Sequence, residues 1–215
     1  QEALAIAGIG VLLGALYAGR SSRGFIETGL IPVAAIGLTT SLFVLPHVVD
    51  HRWILVLFVI YGFFGGVLVV PLNALIQFTA KDKHLGKVLA SNNFIQNASM
   101  LLFLVINISY AELGGDIYYL LMAFACLSLL ATIYAILRLP QSLIRYVLYF
   151  FVSKAYRVKV NGLAAFPSSG GVLLLGHHTS FLDWAVLQIA APRPIRFVML
   201  RSIYEKWYFK WLLSK

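Results

Sequence analysis

Hydrophobic residues run through the chain in five long stretches that contain no Asp, Glu, Lys or Arg. The stretches are 3–19, 28–46, 53–80, 88–111 and 117–137. An α-helix needs about 20 mainly apolar residues to cross the hydrocarbon core of a bilayer, with a range of about 17–25. All five stretches reach this length. The pattern therefore predicts five transmembrane helices within residues 1–137.

Basic residues alternate between the connections, and this asymmetry predicts the orientation of the helices. They follow the first, third and fifth stretches: Arg20, Arg23, Lys81, Lys83, Lys87, Arg138 and Arg145. The second connection holds only Arg52, and the fourth holds no basic residue. Lys and Arg concentrate in the loops on the cytoplasmic side of a membrane. We therefore expect the chain after residue 137 to lie in the cytoplasm.

Composition agrees with a membrane protein and excludes an ordinary soluble domain. Of the 215 residues, 60% are hydrophobic and 12% are charged, whereas average globular chains carry about 25% charged residues. The net charge of +9 is typical of cytoplasmic membrane flanks rather than of nucleic-acid binding. One cysteine, Cys126, excludes a disulfide framework. The chain opens without Met or a signal peptide, which predicts an internal fragment.

After residue 137 the pattern changes from long apolar stretches to short ones. Residues 138–157 predict an amphipathic linker helix in the cytoplasmic interface. Residues 158–215 predict the start of an α/β domain, because short apolar runs alternate with helical patterns. The predicted strands are 158–160, 172–175 and 195–199, and the predicted helices are 181–190 and 202–215. The expected fold is thus a membrane all-α segment followed by the truncated start of an α/β domain.

Small and polar residues mark particular faces of the predicted membrane helices. Gly10 with Gly14, and Gly62 with Gly66, have the four-residue spacing that lets helices approach closely. Amide side chains form pairs with the same spacing: Asn73, Gln77, Asn93 and Asn97. Amides in hydrocarbon need partners, so these four residues either hydrogen-bond between helices or line a polar transport path.

The run Gly176-His-His-Thr-Ser-Phe-Leu-Asp183 carries the candidate chemistry of the second region. His178 and Asp183 are separated by four residues and follow an apolar run that predicts a strand. A strand-to-helix turn of this length brings a carboxylate onto an imidazole, which can then act as a base. A metal site is not expected, because no third ligand has suitable spacing.

These residues resemble the first block of the glycerolipid acyltransferase family, Asn-His-x-Ser-x-x-Asp. His178, Ser180 and Asp183 match the block, and His177 replaces its Asn. The resemblance implies that His178 is the base and that Asp183 holds its imidazole in the correct tautomer. Ser180 is expected to bind substrate, and Arg201, which follows the third predicted strand, is the candidate for the lipid phosphate. The acyl donor would be acyl-ACP or acyl-CoA, without a cofactor.

The membrane region resembles a different family. Its loop 14–24 is similar to the cytoplasmic loop motif of major facilitator transporters. The segments 71–77, 83–87 and 90–93 are similar to the lysophospholipid transporter branch of that superfamily. This resemblance implies that the five helices are the last five of the twelve transmembrane helices of such a transporter.

Together the two regions resemble bacterial fusions of a lysophospholipid transporter with a 2-acylglycerophosphoethanolamine acyltransferase. The resemblance implies an inner-membrane protein that moves a lysophospholipid and re-acylates it in the cytoplasm. The family's later phosphate-binding block, Phe-Pro-Glu-Gly-Thr-Arg, is absent before Lys215, so we expect this fragment to be inactive alone. Two alternatives stay open: a transporter with a non-catalytic tail, and a lysophosphatidate acyltransferase with scaffolding helices.

Overall fold

The structure is a computed structural model that describes residues 2–22, 26–156, 158–161, 170–177, 180, 183–191, 195–198 and 201–205. The α-helices in these ranges are α1 (Glu2–Ser21), α2 (Leu30–Val44), α3 (His51–Thr79), α4 (Leu85–Glu112), α5 (Ile117–Arg138), α6 (Pro140–Ala155), α7 (Asp183–Ala190) and α8 (Arg201–Tyr204). Short 3₁₀ turns, Leu45–His47 and Asp82–His84, follow α2 and precede α4. The chain divides into two compact units, Gln1–Leu139 and Pro140–Lys215.

All five predicted membrane helices are present in the first unit, as α1 to α5. Each, with its adjoining 3₁₀ turn where there is one, is long and apolar enough to cross a membrane. The prediction of an all-α membrane segment is confirmed. Their ends follow from local chemistry. The Asp50 carboxylate accepts a hydrogen bond from the Arg52 N–H (2.8 Å) and caps α3. Asp116 caps α5 in the same way through the N–H of Tyr118.

Helices α1 and α3 pack with their backbones in close contact, through the two glycine pairs that the sequence marks. Gly10, Gly14, Gly62 and Gly66 are all buried. A β-carbon at Gly14 would overlap the carbonyl of Phe63, and one at Gly66 would overlap the carbonyl of Val11. Lipid tails are as apolar as side chains, so helices in a membrane associate largely through such close packing. The prediction that these glycines are packing residues is confirmed.

This contact gives a direct test of the first unit. We expect Gly14→Leu to destabilise the protein by about 1–3 kcal/mol or more, because the added side chain meets backbone that cannot rotate away. Gly8→Leu is the matched control on the same helix, since nothing lies within 4 Å of a β-carbon there. Thermal unfolding in detergent measures both variants. Equal midpoints for the two would contradict the close approach of α1 and α3.

Helices α2 and α5 are joined by buried hydroxyl groups. The Thr39 Oγ1 lies 2.7 Å from the Ser128 Oγ and 2.8 Å from the Thr132 Oγ1. Thr39 and Thr132 are both buried. Hydrogen bonds between membrane helices contribute about 0.6 kcal/mol on average. The pair α2 and α5 is therefore held by polar contacts, whereas α1 and α3 are held by backbone proximity.

Helix α4 differs from its neighbours because it has no buried residue. Large apolar side chains such as Phe94, Leu101 and Leu102 are more than half exposed. A helix that is apolar on several sides is suited to lipid or to other helices. It ends where Gly114 adopts a positive φ of 73°, a conformation that a glycine after a helix adopts without a steric penalty.

In the second unit, α6 packs against α7. The predicted amphipathic linker is helical over Pro140–Ala155, with Val152 buried. Val147, Phe150 and Phe151 are exposed on α6. Its location in a membrane interface stays a prediction.

The predicted strands of the second unit are not present among the residues that the structure describes. Segments 158–160, 172–175 and 195–198 have no strand assignment, and residue 199 lies outside the described ranges. Leu173 and Leu175 are 79% and 87% exposed, although the sequence predicts a buried strand there. A strand exists through hydrogen bonds to a neighbouring strand, and these segments have no such partner in the described part of the chain. The α/β start is therefore not shown.

Candidate functional site

The candidate catalytic segment ends in a turn that fixes the carboxylate of Asp183 at the start of α7. The Ser180 N–H donates a hydrogen bond to the Asp183 Oδ2 (2.7 Å). In return, the Asp183 N–H donates to the Ser180 carbonyl (3.1 Å). An acidic side chain that accepts from a backbone N–H three residues earlier is one half of a capping box. The Ser-x-x-Asp spacing thus orients Asp183 through the backbone of Ser180.

This arrangement leaves the predicted chemical role of Asp183 feasible. A carboxylate has two oxygens and about four acceptor positions, so a bond at Oδ2 is compatible with a second bond to an imidazole. His178 lies outside the described residues, so its pairing with Asp183 stays a prediction. His177 is described and exposed.

Contacts on both sides of α7 hold the helix that carries Asp183. The Arg145 Nη2 of α6 donates to the carbonyl of Ala191, at 3.5 Å. The Ile195 N–H donates to the Gln188 Oε1, at 3.2 Å. Ala191 is buried at the end of the helix. The carboxylate of Asp183 is therefore attached to a packed element.

The proposed phosphate residue, Arg201, makes an ion pair on the first turn of α8. Its Nε lies 2.7 Å from the Glu205 Oε1. Both side chains are largely exposed, and exposed pairs of this kind contribute about 0–1 kcal/mol. A dianionic or monoanionic phosphate would compete with Glu205 for the guanidinium. The role of Arg201 in substrate binding stays a prediction.

The four predicted transport-path amides are not gathered into one pocket of the described structure. Asn73 is half-buried on α3, whereas Gln77, Asn93 and Asn97 are exposed. The Asn97 Nδ2 donates to the carbonyl of Asn93, 2.9 Å away in the preceding turn of α4. The side-chain amide of Asn97 thus has a hydrogen-bond partner within its own helix. The role of the four amides in transport stays a prediction.

Instead, a pocket lies between the C-terminal part of α3 and the first turns of α4. Its volume is about 390 Å³, and it is lined by Ile76, Lys87, Val88, Ser91, Asn92 and Ile95. A second pocket of about 440 Å³ shares Ile76 and Val88 with the first and extends to Leu75, Thr79 and Ala80. From the sequence, Lys87 is one of the basic residues that follow the third apolar stretch. Lys87 and Ser91 lie four residues apart on one face of α4, and Asn92 is the next residue around the helix from Ser91.

Metal binding has no support from the part of the chain that the structure describes. There, no three residues among His, Cys, Asp and Glu lie close enough together to hold an ion. His178 lies outside the described residues, so the expectation of a metal-free site stays a prediction.

Comparison with known proteins relates each part of the chain to a different activity. Residues 157–215 match the acyltransferase family model. The chain is also 33% identical over 112 residues to the lysophospholipid transporter LplT of Yersinia enterocolitica. The matched stretch is longer than the whole second unit, so it includes part of the helical first unit. The chain is therefore similar to a fusion of a transporter with an acyltransferase. No solved structure matches it.

These matches cover only part of this chain and of its relative, and this coverage determines which conclusions they support. The transporter match includes 51% of this chain but only 27% of the Yersinia protein. The chain thus spans about a quarter of that relative's length. The family match includes His178, Ser180, Asp183 and Arg201 and supports a general acyltransferase activity. With the five apolar helices, the similarity to a transporter indicates a multi-pass membrane protein.

Proposed function

We propose that the intact protein moves a lysophospholipid across a bacterial inner membrane and re-acylates it on the cytoplasmic side. The observation that carries the proposal is that one chain joins membrane helices similar to a lysophospholipid transporter with a match to the acyltransferase family. Transport would deliver the substrate to the side where the acyl donor is available. The alternation of basic connections supports a cytoplasmic second unit.

In the acyl transfer, the lysophospholipid hydroxyl attacks the thioester carbonyl of acyl-ACP or acyl-CoA. His178 takes the hydroxyl proton as the new C–O bond forms. The tetrahedral intermediate then collapses, the C–S bond breaks, and the imidazolium returns the proton to the departing sulfur. The products are a diacyl phospholipid and a free thiol. No enzyme nucleophile is needed, because the lipid hydroxyl attacks directly.

Asp183 and Ser180 position this chemistry. Asp183 would hold the His178 imidazole in the tautomer that accepts a proton and would stabilise the imidazolium. The hydrogen bond from the Ser180 N–H to Oδ2 supports this role, because it restrains the carboxylate at the start of α7. Arg201 would bind the lipid phosphate after exchanging its ion pair with Glu205.

The two activities can be measured separately on the intact protein. In proteoliposomes, we expect uptake of labelled lysophosphatidylethanolamine. In detergent, we expect its conversion to phosphatidylethanolamine when acyl-ACP or acyl-CoA is supplied. Uptake without acylation by either donor would indicate a transporter with a non-catalytic tail. Acylation without uptake would indicate an acyltransferase whose membrane helices serve as a scaffold.

A further inference from the structure

The cleft between α3 and α4 is lined by both apolar and polar side chains. Ile76, Val88 and Ile95 supply apolar surface, and Lys87, Ser91 and Asn92 supply a cation, a hydroxyl and an amide. None of the residues that line the two pockets is acidic. The two adjoining depressions have volumes of about 390 Å³ and 440 Å³ and are open to the surroundings.

The polar groups of this cleft are not used by the fold. Among the described residues, no hydrogen bond or ion pair engages the side chain of Lys87, Ser91 or Asn92. Two other amides of α4, Asn97 and Asn107, each donate to a carbonyl four residues earlier in their own helix. Asn92 is half-buried and lines the pocket. It is therefore available to a ligand, whereas Asn97 and Asn107 have partners.

The position of the cleft also fits a lipid. It lies where α3 ends at Thr79 and α4 begins at Leu85, so it is at the boundary of two membrane-spanning helices. The connection between them carries Lys81 and Lys83 with one acidic residue, Asp82. Basic side chains at the end of a span meet the anionic headgroup region of the bilayer. An amphipathic ligand can thus place its anion near Lys87 and its hydrocarbon against the apolar side chains of the cleft.

We propose that Lys87, Ser91 and Asn92 bind the phosphodiester of a lysophospholipid whose single acyl chain lies against Ile76, Val88 and Ile95. The Lys87 ammonium neutralises the phosphate, and Ser91 and Asn92 donate hydrogen bonds to its oxygens. This inference rests on the proposed transport function and assigns its headgroup site to the α3–α4 cleft. Recognition is of the phosphate, so lysophosphatidylethanolamine and lysophosphatidylglycerol are both ligands.

The test is binding of labelled lysophosphatidylethanolamine to the intact protein in detergent. Hydrogen bonds to a charged group are worth about 1.5–3 kcal/mol, so we expect Lys87→Gln to weaken binding roughly 10-fold or more. Lys83→Gln removes the same charge from the connection just before α4, where Lys83 does not line either pocket, and its affinity should stay within about twofold of wild type. Lys87→Arg should retain most of the affinity because the charge is kept.

Other ligands identify what the cleft recognises. Monoacylglycerol has the chain but no phosphate, and Lys87→Gln should leave its weak binding unchanged. Glycerophosphoethanolamine has the phosphate but no chain, and it should not compete at concentrations that saturate the lysophospholipid. Equal competition by glycerophosphoethanolamine would identify a free-phosphate site and overturn the proposal. Equal competition by diacyl phosphatidylethanolamine would identify a general bilayer-lipid contact and overturn it as well.

Uptake assays separate this proposal from the transport function on which it rests. If wild-type protein transports lysophosphatidylethanolamine and Lys87→Gln matches Lys83→Gln in binding and uptake, the cleft assignment is wrong and the transport function stands. If wild-type protein shows no uptake, the transport function is wrong. If Lys87→Gln does not fold, Ser91→Ala replaces it, with an expected loss of about threefold to 10-fold for a neutral donor. The control Ser99→Ala, on the same helix but outside both pockets, should show no loss.

Discussion

His178→Ala is expected to reduce acylation of lysophosphatidylethanolamine by the intact protein by at least about 10²–10⁴-fold, the usual contribution of a positioned general base. The lipid hydroxyl is a poor nucleophile unless its proton is removed as it attacks, and the proposed mechanism assigns that proton to the His178 imidazole. The measurement is the initial rate of phosphatidylethanolamine formation with saturating acyl donor. Uptake by the same variant should be unchanged, because His178 lies in the second unit and the membrane helices form the first.

The adjacent histidine provides the control for this experiment. His177→Ala removes an equally large imidazole from the same segment, where His177 is exposed. We expect it to retain most of the activity. If it is as damaging as His178→Ala, the base is misassigned. Full acylation by His178→Ala would eliminate the proposed enzyme mechanism.

Asp183→Asn is expected to reduce acylation severely, by about 10²-fold or more, while α7 stays intact. The structure makes this substitution informative, because Asp183 also caps its helix by accepting the Ser180 N–H at 2.7 Å. An Asn side chain has a carbonyl oxygen that can accept the same bond, and Asn caps helices about as well as Asp. What it lacks is the negative charge that stabilises an imidazolium.

Asp183→Ala completes the comparison, because it removes both the hydrogen bond from the Ser180 N–H and the charge. Loss of a hydrogen bond costs about 0.5–1.5 kcal/mol, so Asp183→Ala should lower the unfolding midpoint and Asp183→Asn should not. Both should lack acylation if the charge serves catalysis. If Asp183→Asn acylates normally and only Asp183→Ala is impaired, the carboxylate has a structural role alone.

The membrane fold was largely predictable from the sequence because its determinants are local. Runs without charge must be long enough to cross a bilayer, and Asp50 and Asp116 cap the first turns of α3 and α5 through their own side chains. The spacing of Gly10 from Gly14 identifies a face that allows close approach. It does not identify the partner, and the structure supplies this by placing Val59 and Phe63 of α3 against that face.

The second region was predicted less well because strands depend on partners that lie elsewhere in the chain. The apolar run 172–175 has the composition of a buried strand, yet Leu173 and Leu175 are exposed. A helix satisfies its own backbone hydrogen bonds, whereas a strand needs a neighbour. Hence the sequence predicted α6 and α7 nearly at their observed bounds. The described residues of the three predicted strands form no strand.

The sequence by itself determined which residues carry the candidate acyl-transfer chemistry, since His178, Ser180 and Asp183 match a motif through their types and spacing. It did not determine which polar residues of the membrane helices share a pocket. Asn93 with Asn97 and Asn92 with Gln96 have the same four-residue spacing, but Asn97 donates to its own helix and Asn92 lines the cleft with Lys87 and Ser91. Periodicity along one helix assigns side chains to a common face. Only the packing of a second helix, here α3 through Ile76, decides which face becomes a pocket.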